Sequence, residues 1–174
     1  MAALAAVATP SAAQLRLTQD EALRLAFPPP LSIERRTAFL ETEELARARG
    51  LAGQDAEIER SVVTYYVGVD SGRVGGYAYF DAHVVRTLAE VLMIVVTPEG
   101  AVSRIEVLRF SEPPEYRAPE GWLATFGDHT LTDALSLKGS IINMTGATLT
   151  SRAVTRAVRR VLALHQIVRE REEP

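Results

Sequence analysis

Apolar residues in the middle of the chain recur in patterns that predict an antiparallel sheet. The segments 61–69 and 74–81 are rich in β-branched and aromatic residues and flank an Asp-Ser-Gly-Arg turn, which is typical of a β-hairpin. The strongly apolar segment 88–97 and the mixed segment 102–110 flank a Pro-Glu-Gly turn and predict a second antiparallel pair with one face in water. We therefore expect a sheet of about four strands.

The first sixty residues show a more helical pattern. Residues 18–21 have the Thr-x-x-Glu spacing of a capping box and open an apolar helix, which the three prolines at 28–30 end. Residues 42–49 predict a second short helix, and Ser32 to Phe39 a short strand before it. We interpret residues 14–60 as a small helical N-terminal appendage.

Helical spacing also dominates the C-terminal end of the chain. Between residues 152 and 169 apolar side chains recur at intervals of three and four, which predicts a long amphipathic helix. Its apolar stripe comprises Val154, Val158, Val161, Leu162, Leu164 and Val168. Strands followed by helices are typical of the α+β class, so we predict an antiparallel sheet packed with this helix in a domain of residues 61–169.

Composition and charge exclude several classes of protein. A chain of 174 residues with 47% hydrophobic and 24% charged residues is typical of one globular domain, not of a disordered or membrane-embedded protein. The net charge of −3 gives no general attraction to nucleic acid, so we predict no nucleic-acid partner. Cysteine is absent, which excludes disulfides, thiolate metal sites and cysteine nucleophiles. His129 and His165 lack metal-ligand spacing, so we predict no metal site.

The segment 1–13 is almost entirely small or apolar and carries no charged side chain. It ends in Ser-Ala-Ala, a small-x-small pattern like a secretory cleavage site, but lacks the positive start of an export signal. We interpret it as a truncated signal peptide whose removal would leave a chain beginning near Gln14. The alternative is a disordered alanine-rich start. The first interpretation predicts a periplasmic or otherwise extracytoplasmic protein.

The segment Thr145-Gly-Ala-Thr-Leu-Thr-Ser151, just before the long helix, carries the strongest candidate chemistry. The first N–H groups of a helix have no internal partners and the helix dipole favours negative charge there, so such a turn suits a phosphate. From the residues alone, a simpler interpretation is that Thr150 or Ser151 is an ordinary helix N-cap.

The same segment resembles the S/T-G-A-T-x-T/S signature of the FMN-binding domain family. That family includes flavin-carrying subunits of the sodium-pumping NADH:quinone oxidoreductase and of Rnf-type electron-transport complexes. The resemblance covers about residues 61–164 and includes the strand Ala101 to Phe110. The Ser-Glu-Pro-Pro stretch after that strand is similar to the Glu-Thr-Pro-Gly that often follows it in the family. The resemblance implies FMN as cofactor, carried through a phosphoester bond on Thr148.

The resemblance also implies roles for the other residues of the turn. The hydroxyl groups of Thr145, Thr150 and Ser151 would bind phosphate or cap the helix. Gly146 and Ala147 would let the backbone approach the cofactor closely.

Four residues outside the turn are further candidates for cofactor binding. Tyr116 and Trp122 could stack on the isoalloxazine ring, although ordinary packing is the simpler interpretation for both. Lys138, the single lysine of the chain, could contact phosphate or stabilise the reduced flavin, or it could be a solvated loop residue. Arg86 could contact phosphate or a redox partner, or form a surface ion pair.

These features predict an electron carrier, modified by a separate flavin transferase, that relays electrons to redox partners which could be membrane-associated. A threonine hydroxyl is a poor nucleophile without a base, and we find no base near Thr148 and no catalytic residue. The family commonly has aspartate three residues before the turn, where this chain has Ile142 followed by Asn143. Two alternatives therefore stay open: a binding or assembly module that has lost flavinylation, and a reductase with non-covalent FMN.

Overall fold

A computed structural model of the chain describes residues 14–15 and 17–172. The predicted signal peptide at 1–13 lies outside these residues. The chain forms one six-stranded antiparallel sheet in the order β1-β6-β5-β4-β3-β2. The strands are β1 (Gln14–Leu15), β2 (Ser32–Phe39), β3 (Val62–Asp70), β4 (Arg73–Val84), β5 (Ala89–Val96) and β6 (Val102–Phe110).

The four central strands, β3 to β6, are the four that the hydrophobic pattern predicts. The predicted short strand Ser32–Phe39 is β2, which pairs along its whole length with β3. The two residues of β1 pair with the end of β6 and complete the sheet. The α+β prediction is confirmed, with one more full-length strand than the expected four.

Four α-helices and two short 3-10 turns accompany the sheet. The helices are α1 (Gln19–Ala26), α2 (Thr42–Ala52), α3 (Glu120–Leu123) and α4 (Thr148–Glu172), and the 3-10 turns are Pro114–Tyr116 and Ala124–Phe126. The predicted capping box is present at α1, where Thr18 and Glu21 exchange hydrogen bonds. No helix in the described part of the chain is long and apolar enough to cross a membrane.

The sheet is covered on both faces. On one face α4 and α2 pack over the strands, and Val154, Val158 and Val161 are buried in this main core. On the other face α1 closes a smaller cluster in which Phe27 lies against Gly68, where a Cβ would come within 2.5 Å of the ring. The N-terminal residues are part of the main core, because Ala48 and Ala52 of α2 are buried in it.

A buried ionic cluster joins β4 and β5 to α4. His83 lies 2.8 Å from Asp81 and 3.0 Å from Glu90, and Arg160 donates two hydrogen bonds to Asp81. Burial disfavours the charge on His83, but hydrogen bonds to Asp81 and Glu90 outweigh it and raise the pKa of His83 to about 9. Burial likewise opposes ionisation of Asp81, but hydrogen bonds from His83 and Arg160 lower its pKa to about 2.

Candidate functional site

The turn before α4 ends in a backbone conformation that glycine adopts easily. Gly146 has a φ of +82°, in the left-handed region, and the N–H of Ala147 donates to the Met144 carbonyl. The helix then begins at Thr148, and its first intrahelical bond runs from the Ser151 N–H to the Ala147 carbonyl. The first N–H groups of α4 therefore have no carbonyl one turn earlier to receive them.

Ser151 holds this turn together from inside the first helical turn. Its hydroxyl donates to the Ala147 carbonyl at 3.2 Å and accepts from the Met144 N–H at 3.1 Å. The side chain is fully buried. Because helical bonding starts at Ala147, the interpretation of Thr150 or Ser151 as the N-cap is wrong.

A pocket of about 270 Å³ opens at the start of α4. It brings together six of the ten predicted binding residues, and the lining comprises Val85, Arg86, Glu112, Tyr116, Gly146, Ala147, Thr148, Leu149 and Thr150. Thr145 is exposed and stands outside the lining, and Ser151 faces the turn. Residues of the signature and of the loops that follow β4 and β6 therefore line this pocket together.

Two threonines of the signature have different environments in this pocket. Thr148 is half-buried, and its hydroxyl accepts a hydrogen bond of 3.3 Å from the Asn143 amide. Thr150 is fully buried, and its hydroxyl donates to the Tyr116 carbonyl at 2.6 Å. Thr150 therefore fixes the loop after β6 against α4, whereas the Thr148 oxygen stands at the pocket with one weak partner.

Glu112, a buried carboxylate, fixes the other wall of the pocket. Its Oε1 accepts from the backbone N–H groups of Arg86, Thr87 and Leu88 at 3.2, 2.7 and 2.8 Å. The hydrogen bond from Thr87, followed by those from Leu88 and Arg86, lowers the pKa of Glu112 despite its burial. Glu112 belongs to the Ser-Glu-Pro-Pro stretch of the family resemblance, but its role at the site was not predicted from the sequence. A carboxylate two residues after the end of a strand was the signal.

Besides Thr145 and Ser151, two further predicted residues, Trp122 and Lys138, lie outside this pocket lining. Trp122 packs edge-to-face on Phe126, and its Nε1 donates to the Ile142 carbonyl at 2.6 Å. The indole therefore supports the segment before the turn. Lys138 is exposed in the same connection. The side chain of Ile142, at the family's aspartate position, is 80% exposed.

The sequence model of the FMN-binding domain family matches residues 89–163. The matched range runs from the start of β5 into α4, so it contains Glu112 and the whole turn that precedes Thr148. This segment is similar to FMN-binding domains. The family indicates FMN as its cofactor. No curated protein matches the chain.

The pocket at the start of α4 has donors that suit the phosphate end of this cofactor. The start of a 25-residue helix supplies unpaired N–H groups and the positive end of a dipole, and Arg86 adds a cation. Gly146 has no atom within 4 Å of the position that a Cβ would take, so this side of the turn is open. The volume is just below the roughly 300–1,000 Å³ of pockets that enclose drug-sized ligands, so the pocket is large enough for only part of FMN.

Among the described residues, no group of three histidine or acidic side chains could hold a metal ion. The donors at the pocket are N–H, hydroxyl and guanidinium groups, with the Glu112 carboxylate already occupied on one oxygen by backbone N–H groups. This is the donor set of an anion site rather than of a cation site.

Proposed function

We propose that this protein is an electron carrier in which FMN is attached to Thr148 through a phosphoester bond. The observation that carries the proposal is the position of the Thr148 hydroxyl at the first residue of α4, half-buried in the pocket that the family signature forms. Its single side-chain partner is the 3.3 Å contact from Asn143, which is a long hydrogen bond. Thr150 and Ser151 already use their hydroxyls in structural hydrogen bonds.

In this proposal the chain orients and retains the cofactor, and bound FMN supplies one- and two-electron transfer. The N–H groups at the start of α4 and the Arg86 guanidinium hold the phosphate end. Tyr116 and Leu149 line the pocket beside Thr148 and give the ring an apolar contact surface at the mouth.

Attachment would need a second protein, because the one carboxylate of the pocket lining, Glu112, is engaged by the backbone N–H groups of residues 86–88 and the lining contains no histidine. The Thr148 oxygen would form the new P–O bond, and its proton would pass to a base of the flavin transferase. The transferase would supply FMN as an activated phosphoanhydride, whose other phosphate departs as the leaving group. A covalent bond would retain the cofactor outside the cytoplasm, which agrees with the export signal that residues 1–13 resemble. Its electron donors and acceptors would be other redox proteins.

Co-expression with a flavin transferase tests the proposal. Visible absorbance and intact mass after unfolding should show one FMN per chain for the natural protein and for Thr148→Ser. They should show none for Thr148→Val, which keeps the branched shape but removes the hydroxyl. Thr125→Val is the matched control, because Thr125 is exposed and lies outside both the signature and the pocket. Covalent flavin in Thr148→Val would contradict attachment at this residue.

One observation favours a non-covalent site. Ile142 projects an apolar side chain into solvent where the family commonly has aspartate, so the transferase would lack a carboxylate contact at this position. In that case the natural protein should lose its yellow colour on unfolding. Ile142→Asp should then raise the covalently labelled fraction in the same co-expression. A natural protein that stays fully labelled and is unchanged by Ile142→Asp would exclude this alternative.

A further inference from the structure

A second pocket of about 200 Å³ lies toward the opposite end of α4. It is lined by Glu99, Gly100, Thr130, Leu131, Leu162, His165, Gln166 and Arg169. We call it the His165 pocket. None of these residues lines the pocket at Thr148, so a ligand here would be separate from the cofactor.

The hydrogen bonds of His165 define which ring nitrogen carries the proton. His165 is 2% exposed, and its Nδ1 lies 2.9 Å from the Tyr79 hydroxyl. Burial raises the pKa of Tyr79 well above 10 and lowers the pKa of His165 to about 4, so at neutral pH the phenol is protonated and the imidazole is neutral. The phenol proton needs an acceptor, and His165 Nδ1 is the neighbour that can accept it. The ring proton of His165 is therefore on Nε2.

The Nε2–H group of His165 has no hydrogen-bond partner among the described residues. A buried donor without a partner destabilises the fold, and most such groups in folded proteins are satisfied. Because Nδ1 faces Tyr79 in the sheet, the Nε2–Cδ2 edge on the other side of the ring faces the pocket. Gly100 lies close to this edge and to Arg169. A Cβ built on Gly100 would lie 3.9 Å from His165 Cδ2 and 3.6 Å from Arg169 Nη1.

The other polar groups of the His165 pocket favour an anion. Arg169 brings a guanidinium, and Gln166 and Thr130 bring an amide and a hydroxyl that can donate. The one acidic side chain of the lining, Glu99, has hydrogen bonds from its own backbone N–H and then from the Thr97 hydroxyl, which lower the pKa of its carboxyl group and keep it within its own turn. Arg169 Nη1 donates to the Glu99 carbonyl at 3.1 Å, which keeps the guanidinium at the rim.

We propose that the His165 pocket binds a small oxyanion, a carboxylate or phosphate group, through His165 Nε2–H and the Arg169 guanidinium. Binding would give the buried N–H its missing acceptor. Because Nε2 is not accessible to solvent, entry of the anion would require the Arg169 head group at the rim to move. The site does not depend on the proposed cofactor attachment.

Imidazole NMR tests the proposal directly, because the chain contains three histidines. The ¹⁵N-labelled protein is titrated with inorganic phosphate and separately with acetate, at pH 7 and constant ionic strength. The Nε2–H resonance of His165 should shift and saturate below about 10 mM of at least one anion, whereas the His83 ring signals should not move. The anion that saturates identifies the ligand class. No saturable shift with either anion would overturn the proposal.

Charge variants at Gln166, a half-buried residue of the wall, give a second test. Gln166→Glu should weaken binding about three- to tenfold, and Gln166→Lys should strengthen it. Arg156→Gln is the control, since it changes the net charge by the same amount as Gln166→Glu at an exposed site of the same helix. Equal weakening by Gln166→Glu and Arg156→Gln, or weakening by Gln166→Lys, would contradict a site at this pocket.

Discussion

Hydroxyl side chains at the start of α4 have separate tasks, although they are adjacent in sequence. Thr148 lines the pocket at the start of α4, Thr150 binds the loop after β6, and Ser151 closes the turn. The signature drew attention to this turn but could not separate these tasks. Which face of α4 a residue occupies depends on where the helix begins, and that is decided by the turn at Gly146 and by the Ser151 hydrogen bonds.

A prediction at the residue scale concerns His83. Its folded-state pKa of about 9 lies above its ordinary value of 6.5, so the charged form stabilises the fold fully below pH 6.5 and this stabilisation is lost as the pH rises toward 9. The free energy of unfolding should fall by roughly 2–3 kcal/mol across this window. Urea titrations between pH 6 and 9.5 measure it.

The matched pair for this measurement is His83→Gln and His129→Gln. His129 is half-buried, and its ring bonds to the Gly127 carbonyl, away from the ionic cluster. His83→Gln should flatten the pH profile between 6.5 and 9, and His129→Gln should leave it unchanged. An equally steep profile in His83→Gln would show that other groups cause the loss.

At the scale of elements, the pocket at the start of α4 is formed by loops that are each held in place by the hydrogen bonds of one side chain. The loop between β4 and β5 is held by the Glu112 carboxylate, and the 3-10 turn Pro114–Tyr116 is held by Thr150. Hydrophobic patterns predicted the strands on both sides of these loops. They could not predict that Arg86 and Glu112, which are 26 residues apart, would meet. That contact depends on the antiparallel register of β5 with its neighbours.

Glu112→Gln tests this role of the carboxylate. The amide keeps an acceptor oxygen but loses its charge, and charge-assisted bonds to backbone N–H groups are about twice as strong as neutral ones. We expect a loss of roughly 1–2 kcal/mol in the free energy of unfolding and faster hydrogen exchange at the N–H groups of residues 86–88. Glu115→Gln, at an exposed site in the next turn, should change neither quantity. Unchanged exchange in Glu112→Gln would show that the loop is held by other contacts.

At the scale of the whole molecule, the folded unit is larger than the part that the family model matches. The match begins at residue 89, yet α2 packs on α4 and β2 extends the sheet. Arg159 of α4 donates to the carbonyl of Ala52 at 2.8 Å and to that of Thr132. We predicted both N-terminal helices and β2 from local patterns. Their packing into the main core was not predictable, because small residues such as Ala48 carry little hydrophobic signal.

A shortened chain of residues 61–174 tests how far the N-terminal residues contribute to stability. It lacks β2 and α2, so it exposes the edge of β3 and the apolar surface of α4 that α2 covers. We expect it to lose cooperative thermal unfolding and dispersed amide signals in NMR spectra, whereas residues 14–174 retain both. A cooperatively folding shortened chain would show that the sheet from β3 to β6 and α4 suffice.

The 25-residue helix α4 carries Thr148 near one end and His165 near the other. Seventeen residues at 1.5 Å each separate them by about 25 Å, well beyond the Debye length at physiological salt. Occupants of the two pockets cannot touch, and the charge on one is screened from the other. The coupling free energy between them should be close to zero, so the flavin-loaded and flavin-free proteins should bind an oxyanion with the same affinity.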